Sequence, residues 1–422
     1  KKMWNNIPFV DEAVTVATSN VPNTEDAWPR IMTDLDSARK MLAPTQTEVG
    51  RVNKWAADAF YAKALLYQGK YAEALPIFTD VINNGVTTTG IKYALAPSYH
   101  YLFNADFEND PAVRAESIFA YEASVNDGSG GNNANYDNIL NFPYDESGSA
   151  PGGCCGFFQP TFEFVNSFRT DANGLPLLDK SYNNAANEVK NDQGVPKDAA
   201  FTPDQGNLDP RLDWTVGRRG IPYLDWGPHP GVSWIRLQAF GGPYAPKKMV
   251  YYKDQKGRLQ DITNWASGLT AINYKIMRFA DVLLMAAECE VAAGSIDKAL
   301  QYVNLVRARA AKPATWVPGA DAHYKISEYP SFASADEATA AIRFERKLEL
   351  GMEGHRFFDL VRWGIAEQEI NAFLTYEKTK LSTSYGDAKF VAPKNNYFPI
   401  PQRQIDLQRV GTTETLQQNE GY

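Results

Sequence analysis

Glu345 and Glu349 stand four residues apart in RFERKLELGMEGHRFFDLVRWG, residues 343–364, close to Glu353, His355, Asp359 and the arginines Arg346, Arg356 and Arg362. Two carboxylates beside a histidine are the parts of general acid/base chemistry, in which one acid keeps its proton while its neighbour is ionised. A glycoside hydrolase working through Glu345 and Glu349 is one reading. The same residues suit two helices clasped across a tight turn. On a helix starting near Ser334, Phe344 and Leu348 share an apolar face and Glu345 and Glu349 an adjacent one. Gly351 and Gly354 end that helix, and Arg356 to Trp363 resume the helical period. Arg346, Arg356 and Arg362 are then placed to pair with Glu349, Glu353 or Asp359. Buried carboxylates paired with arginine have depressed pKa values, which disfavours a general acid, so the stretch reads as a structural clasp.

Other catalytic signatures are absent. There is no phosphate-binding glycine loop, no G-x-S-x-G elbow, no H-E-x-x-H and no C-x-x-C. The four histidines, His100, His229, His323 and His355, share no metal-ligand spacing. Asp106, Glu108 and Asp110 offer oxygen ligands for a structural calcium, against the plainer reading of a solvated acidic loop; no other cofactor is expected. Cys154 and Cys155 are adjacent and either form a vicinal disulfide or stay two thiols, while Cys289 reads as a buried, inert thiol. A net charge of −8 argues against nucleic acid, whose binding draws on a basic surface. The opening KKMWNNIPFV lacks the long apolar run of a signal peptide.

These side chains need elements to hold them. EDAWPRIMTDLDSARKML carries Trp28, Ile31, Met32, Leu35, Ala38 and Leu42 at helical spacing. In KWAADAFYAKALLYQGKYAEALPIFTDVINNG two helical patterns meet at Gly69, and ADVLLMAAECEVAAGSIDKALQYVNLVRARA repeats the layout around Gly294. Setting Gly294 on Gly69 places Ala287, Ala299 and Leu300 on Ala62, Ala74 and Leu75. Small residues let antiparallel helices approach and a glycine permits the turn, the design of a tetratricopeptide unit. Between these pairs the chain is punctuated by GSGGNNANYDN, ESGSAPGGCCG and FGGPYAPKK, and RLDWTV and KMVYY read as short strands. The fold expected is mainly α: tetratricopeptide-like helix pairs as scaffold with a large irregular, loop-rich region containing short strands. Residues 1–90 and 276–422 form the helical scaffold and 91–275 the irregular, aromatic-rich, ligand-binding region, all in one intertwined globular unit.

The stretch FERKLELGMEGHRFFDLVRWG resembles the signature of the SusD/RagB family of nutrient-binding outer-membrane lipoproteins of Bacteroidetes. NNYFPIPQRQIDL and LQQNEGY are similar to the family's closing elements, KIMRFADVLLMAAEC to its penultimate helical block, GFFQPTFEFVNSFRTDANGLP to its central segment and GRVNKWAADAFYAKALLYQGKYAEAL to its early repeat. The resemblance implies a non-catalytic receptor at the cell surface, anchored in the outer membrane by a lipid on a segment not present in this chain. It further implies service as lid of a SusC-like TonB-dependent transporter. The ligand implied is an oligosaccharide for glycan uptake, with a peptide receptor on the same scaffold as the alternative.

Sugar rings have flat C–H faces that an aromatic plane can dry while polar neighbours take the hydroxyls. Aromatic residues make up 13% of the chain, and the irregular region holds many of them. Tyr223, Trp226, Trp234 and Tyr244 alternate with proline and glycine there, and with Trp265 they are the candidate platform; Arg219, Asp225 and Arg236 are candidate hydroxyl partners. Trp214 reads as core. The competing reading, in which the rings plug the loops onto the helices, stays open at this point. A stack burying on the order of 60 Å² is worth roughly 1.5 kcal/mol. Three stacks therefore give roughly 4.5 kcal/mol against an association cost of about 4–15, so weak binding is expected.

Overall fold

Asn53 starts the helical scaffold. Its Oδ1 accepts the Ala56 N–H at 2.9 Å while its Nδ2 donates to the carbonyls of Pro44 and Val86, so one buried amide caps a helix and pins two loops. The structure is a computed structural model that describes residues 1–422 except 16–19, 138, 146–147, 153–154 and 264–267. Helix α1 (Trp28–Met41) occupies the predicted segment, but its apolar face of Trp28, Ile31, Met32 and Leu35 is only half-buried. In α2 (Lys54–Tyr67) the stripe Ala56, Ala59 and Ala62 is buried, and these small side chains let α3 (Tyr71–Asn84) lie close with Ala74, Phe78 and Val81 facing inward. Gly69 makes the turn between them at φ 71°.

The irregular region holds α4 (Pro111–Arg114), β1 (Ser117–Tyr121), α5 (Phe162–Asn166), β2 (Asn207–Leu208), α6 (Leu212–Thr215), β3 (Val216–Gly217), α7 (Gln238–Gly241), β4 (Ala245–Pro246) and β5 (Tyr274–Arg278). β1 and β5 pair antiparallel with Phe119 opposite Met277, and β3 pairs with β4. RLDWTV is a helical turn leading into β3, and KMVYY is irregular chain; neither is the strand its composition predicts. Tertiary anchors override β-propensity there. Trp214 Nε1 donates to the Thr315 carbonyl at 2.9 Å and Lys248 Nζ to that of Gly351 at 2.7 Å.

Beyond β5 come α8 (Phe279–Ala292) and α9 (Ile296–Ala310), joined at Gly294 with φ 81°. α3 packs on α8, so the two helix pairs stack in space although far apart in sequence. The parallel partner of β2, β6 (His323–Tyr324), precedes α10 (Ala335–Glu349), which is capped by Ser334 and lies on α8 and α9. α11 (Arg356–Arg362), α12 (Ala366–Lys380), α13 (Ser382–Tyr385) and α14 (Gln402–Leu407) complete the chain. The fold is mainly α, with tetratricopeptide-like pairs around an irregular middle, as the sequence predicts.

One core joins Phe78, Val81, Ile118, Met277, Leu283, Val303 and Ile342, drawing on both ends of the chain. Separate clusters fill the middle, among them Tyr99, Phe103, Trp214 and Met249, and Phe142, Tyr223, Trp234 and Tyr251. The closing stretch is stitched by amides: Gln418 exchanges two hydrogen bonds with the Ile400 backbone, and Asn419 donates to the Phe398 carbonyl. Among the described residues no helix is long and apolar enough to cross a membrane.

Candidate functional site

The carboxylates of α10 are fully buried and saturated with cations. Glu345 accepts from Arg211 at 2.6 Å and Arg307 at 2.9 Å. Glu349 accepts from Arg211 at 2.9 Å, from Arg278 at 2.5 Å and from Arg309. Glu353 takes Lys248 at 2.6 Å and Arg278 at 2.8 Å. Burial alone would raise the Glu349 carboxyl, but Arg309, Arg278 and Arg211 outweigh it and hold it well below the usual carboxylate range. The same contest, with Arg278 and Lys248 prevailing over burial, lowers Glu353 to about 2. Glu349 and Glu353 have no proton to give at neutral pH, and the lone pairs of all three face cations of the chain itself. Neither Arg346, Arg356 nor Arg362 supplies the partners of Glu349 or Glu353. Arg346 and Arg362 bind Asp359 at 2.8 and 2.9 Å, whereas Arg356 donates to the Arg343 carbonyl at 3.1 Å. Sequence spacing finds neighbours on one helix, while these cations arrive from distant segments.

The acids that offered oxygen ligands for calcium are engaged by the chain itself. Asp106 is taken by Arg258 at 2.6 Å and Gln255 at 2.8 Å, Glu108 by Lys275 at 2.6 and 2.7 Å, and Asp110 caps α4 through the Ala112 N–H at 2.7 Å. The three acids face different partners, and among the described residues no cluster of His, Cys, Asp or Glu is arranged to hold a metal. Cys155 is disulfide-bonded, and its neighbour Cys154 lies outside the described residues.

Three of the rings expected to project from the loops instead form their core. Tyr223 is fully buried, its hydroxyl donating to the Pro246 carbonyl. Trp234 meets it edge-on at 5.4 Å between centroids and donates to Ser149 Oγ at 3.1 Å. Tyr244 is buried against Phe162 at 5.7 Å. Trp226 is half-buried, its indole N–H bonded to the Tyr251 carbonyl at 3.0 Å. Trp265 lies outside the described residues. A loop region with few regular elements must build a core from large side chains, and proline–glycine punctuation does not distinguish rings turned inward from rings turned outward. The polar candidates divide too. Arg219 is buried and donates to the carbonyls of Pro196, Lys197 and Ala199. Asp225 is exposed, yet its carboxylate accepts the N–H groups of Lys253 and Asp254 at 2.5 and 3.0 Å. Both tie loops. Arg236 is exposed and faces a different set of rings.

Those rings are Tyr144 and Phe157, whose centroids lie 5.4 and 5.7 Å from the Arg236 guanidinium carbon. Gly156, at φ 71°, makes the approach possible, because a Cβ there would sit 3.0 Å from the Tyr144 Cβ and 3.2 Å from that of Arg236. The segment is pinned by Gly156 N–H to the Phe142 carbonyl at 3.0 Å and Phe157 N–H to that of Leu140 at 3.2 Å. Gln159 donates to the carbonyls of Gly242 and Tyr244, binding it to the end of α7. Phe157 is 47% exposed, Phe158 62%, Leu237 56% and Phe240 62%, so the two segments that meet at the contact of Arg236 with Tyr144 and Phe157 expose large apolar side chains. Phe158 holds a left-handed φ of 57°, costly for an aromatic residue, and such strain is characteristic of positions kept for what they contact. The sequence reading missed Tyr144, Phe157 and Phe158. The available signal was GFFQP: adjacent residues in extended chain point to opposite sides, so two consecutive phenylalanines rarely share one core.

Residues 115–422 match the SusD family. The chain is 24% identical to SusD-like protein P25 of Formosa agariphila over 428 residues, covering 100% of this chain and 70% of that protein. It is 26% identical to SusD-like protein P2 of the same organism over 368 residues, covering 86% of this chain and spanning 61% of the relative's length. Among solved structures, a SusD-like carbohydrate-binding protein from Bacteroides fragilis shares the fold at a TM-score of 0.66 and 20% identity, over 96% of this chain and 75% of that one. A laminarin-binding SusD-like protein does so at 0.60 and 21%, over 100% and 75%.

Proposed function

Because the chain belongs to the SusD family, we propose that it is a non-catalytic receptor that binds oligosaccharides on the patch formed by Tyr144, Phe157, Phe158, Arg236, Leu237 and Phe240. The observation that carries this reading is the exposure of three phenylalanine rings on pinned loops, one of them held in a strained conformation. Saccharide C–H faces dry such rings, and at roughly 1.5 kcal/mol a stack the affinity is micromolar to millimolar. A non-catalytic role agrees with the state of Glu345 and Glu349, whose oxygens already serve arginines. The laminarin-binding relative and the carbohydrate-binding neighbour support a saccharide ligand. At the cell surface, carried by a lipid anchor, the receptor hands its ligand to a SusC-like TonB-dependent transporter, an arrangement served by weak binding.

Isothermal titration against a panel of neutral and charged oligosaccharides is the test. Heat is expected with at least one of them, and Phe158→Gly should weaken that binding roughly tenfold, about 1.4 kcal/mol. Glycine adopts φ 57° without strain, so stability should stay within about 1 kcal/mol of the parent. Heat with peptides and none with any glycan would replace this reading by a peptide receptor on the same scaffold.

A further inference from the structure

The irregular region contains seven arginines, Arg114, Arg169, Arg211, Arg218, Arg219, Arg236 and Arg258. Six have a carboxylate within 4.0 Å: Glu122 for Arg114, Asp204 for Arg169, Asp209 for Arg211, Asp213 for Arg218, Asp192 for Arg219 and Asp106 for Arg258. Arg236 is the exception: among the described residues no carboxylate lies in ion-pair reach of it. Within this region of the chain Arg236 therefore stands apart from the other six arginines. Its one protein acceptor among the described residues is the Cys155 carbonyl, at a long 3.4 Å from Nη1.

Arg236 is also not left loose. The Tyr144 and Phe157 rings flank its guanidinium, and Gly156 brings the two loops together beneath it. Ring contact orients the planar fork and reduces the side-chain entropy lost when a ligand binds. Arg236 is exposed, as are its chain neighbour Leu237 and Phe158, which belong to the surface assigned above to sugar rings. A neutral hydroxyl takes a single N–H bond from such a group, whereas a planar or tetrahedral oxyanion takes two parallel charge-assisted bonds from one guanidinium.

Resting on the glycan reading above, we propose that the ligand is an acidic oligosaccharide, with a ring-borne carboxylate or sulfate seated on Arg236 while the adjoining sugar face lies on Phe158. The fork supplies selectivity for charge and the rings supply the sequence-tolerant grip. Because the site is exposed, the ionic part is screened by salt.

The test titrates the parent, Arg236→Gln and Arg236→Lys with three probes: oligogalacturonate, a sulfated galactan oligosaccharide and neutral laminari-oligosaccharide. The parent should bind at least one charged probe about tenfold more tightly than the neutral one, and that preference should shrink between 20 and 500 mM salt, concentrations about which the screening length falls from roughly 20 Å to 4 Å. Arg236→Gln should abolish the preference, costing the charged probe about tenfold more affinity than it costs the neutral one; Arg236→Lys should recover part of it, since an ammonium lacks the fork. Which charged probe responds tells carboxylate from sulfate. Equal binding of charged and neutral probes, or loss of both alike in Arg236→Gln, overturns the acidic-ligand proposal and leaves the glycan reading standing. No binding of any probe by the folded parent overturns both.

Discussion

At the scale of single residues, Glu349 shows why types and spacing misdirect. Its carboxylate is ionised because three arginines outbid its burial, and removing that charge strands cations inside the protein. Glu349→Gln should therefore cost about 3–5 kcal/mol of stability, the usual loss when one partner of a buried pair is removed. Urea denaturation measures the cost, and incubation with polysaccharide should release no product from parent or variant. A variant as stable as the parent would refute the clasp, and sugar release that stops in the variant would make Glu349 catalytic. The pairing of Glu349 and Glu353 with arginine was legible in the sequence, but the identity of the arginines was not. Arg211, Arg278, Arg307 and Arg309 are local to nothing in the 343–364 stretch and arrive by tertiary folding. The binding patch was less legible still. Tyr223, Trp234 and Phe158 have the same aromatic character, and only the backbone decides that the first two turn inward and the third outward.

At the scale of elements, the helix pairs were readable because their turns need a left-handed residue and find one at Gly69 and Gly294. The middle was not, since its order comes from side chains that bind remote backbone, as Arg169 does at the carbonyls of Asn187 and Glu188. One such tie links the scaffold to the patch. Glu377 of α12 is buried and its Oε1 accepts the Glu163 N–H at 2.6 Å, at the start of α5, the helix that follows Phe157 and Phe158. Burial, aided by the nearby charge of Glu163, pushes the Glu377 carboxyl up from 4.5 to about 7. Between those values the folded chain holds a proton that the unfolded chain has released. This contribution is therefore complete below about 4.5 and is lost as pH rises through about 7, to an extent of roughly 3 kcal/mol. Glu377→Gln should remove that decline, so that the variant gains on the parent between pH 5 and pH 8 in urea midpoints. Identical pH dependence in the two proteins would show that Glu377 does not titrate in this window.

At the scale of the whole molecule, the ion hub connects what the hydrophobic clusters keep apart. Glu116, just before β1, binds Arg278 at the end of β5 and Arg309 in α9; both reach Glu349 of α10, which also holds Arg211 from the irregular region. The middle thus shares charges with the C-terminal part of the helical scaffold, and protonating the hub loosens the two together. Glu353 marks the window: its folded value of about 2 lies below its unfolded 4.5, so its contribution is full above 4.5 and disappears as pH falls towards 2. That one group accounts for roughly 3 kcal/mol, a large part of the 5–15 typical of a folded domain. Acid unfolding should accordingly be a single transition, with far-ultraviolet circular dichroism, which follows the helical scaffold, and tryptophan fluorescence, to which Trp214, Trp226, Trp234 and Trp265 of the middle contribute beside five tryptophans of the flanking segments, changing at the same pH. Trp214 stacks on His100 and Trp234 meets Tyr223 edge-on, so both report packing inside the irregular region rather than on the helices. Fluorescence that changes while the helical signal persists would mean that the middle unfolds alone, and the hub would then be a local clasp without reach across the chain.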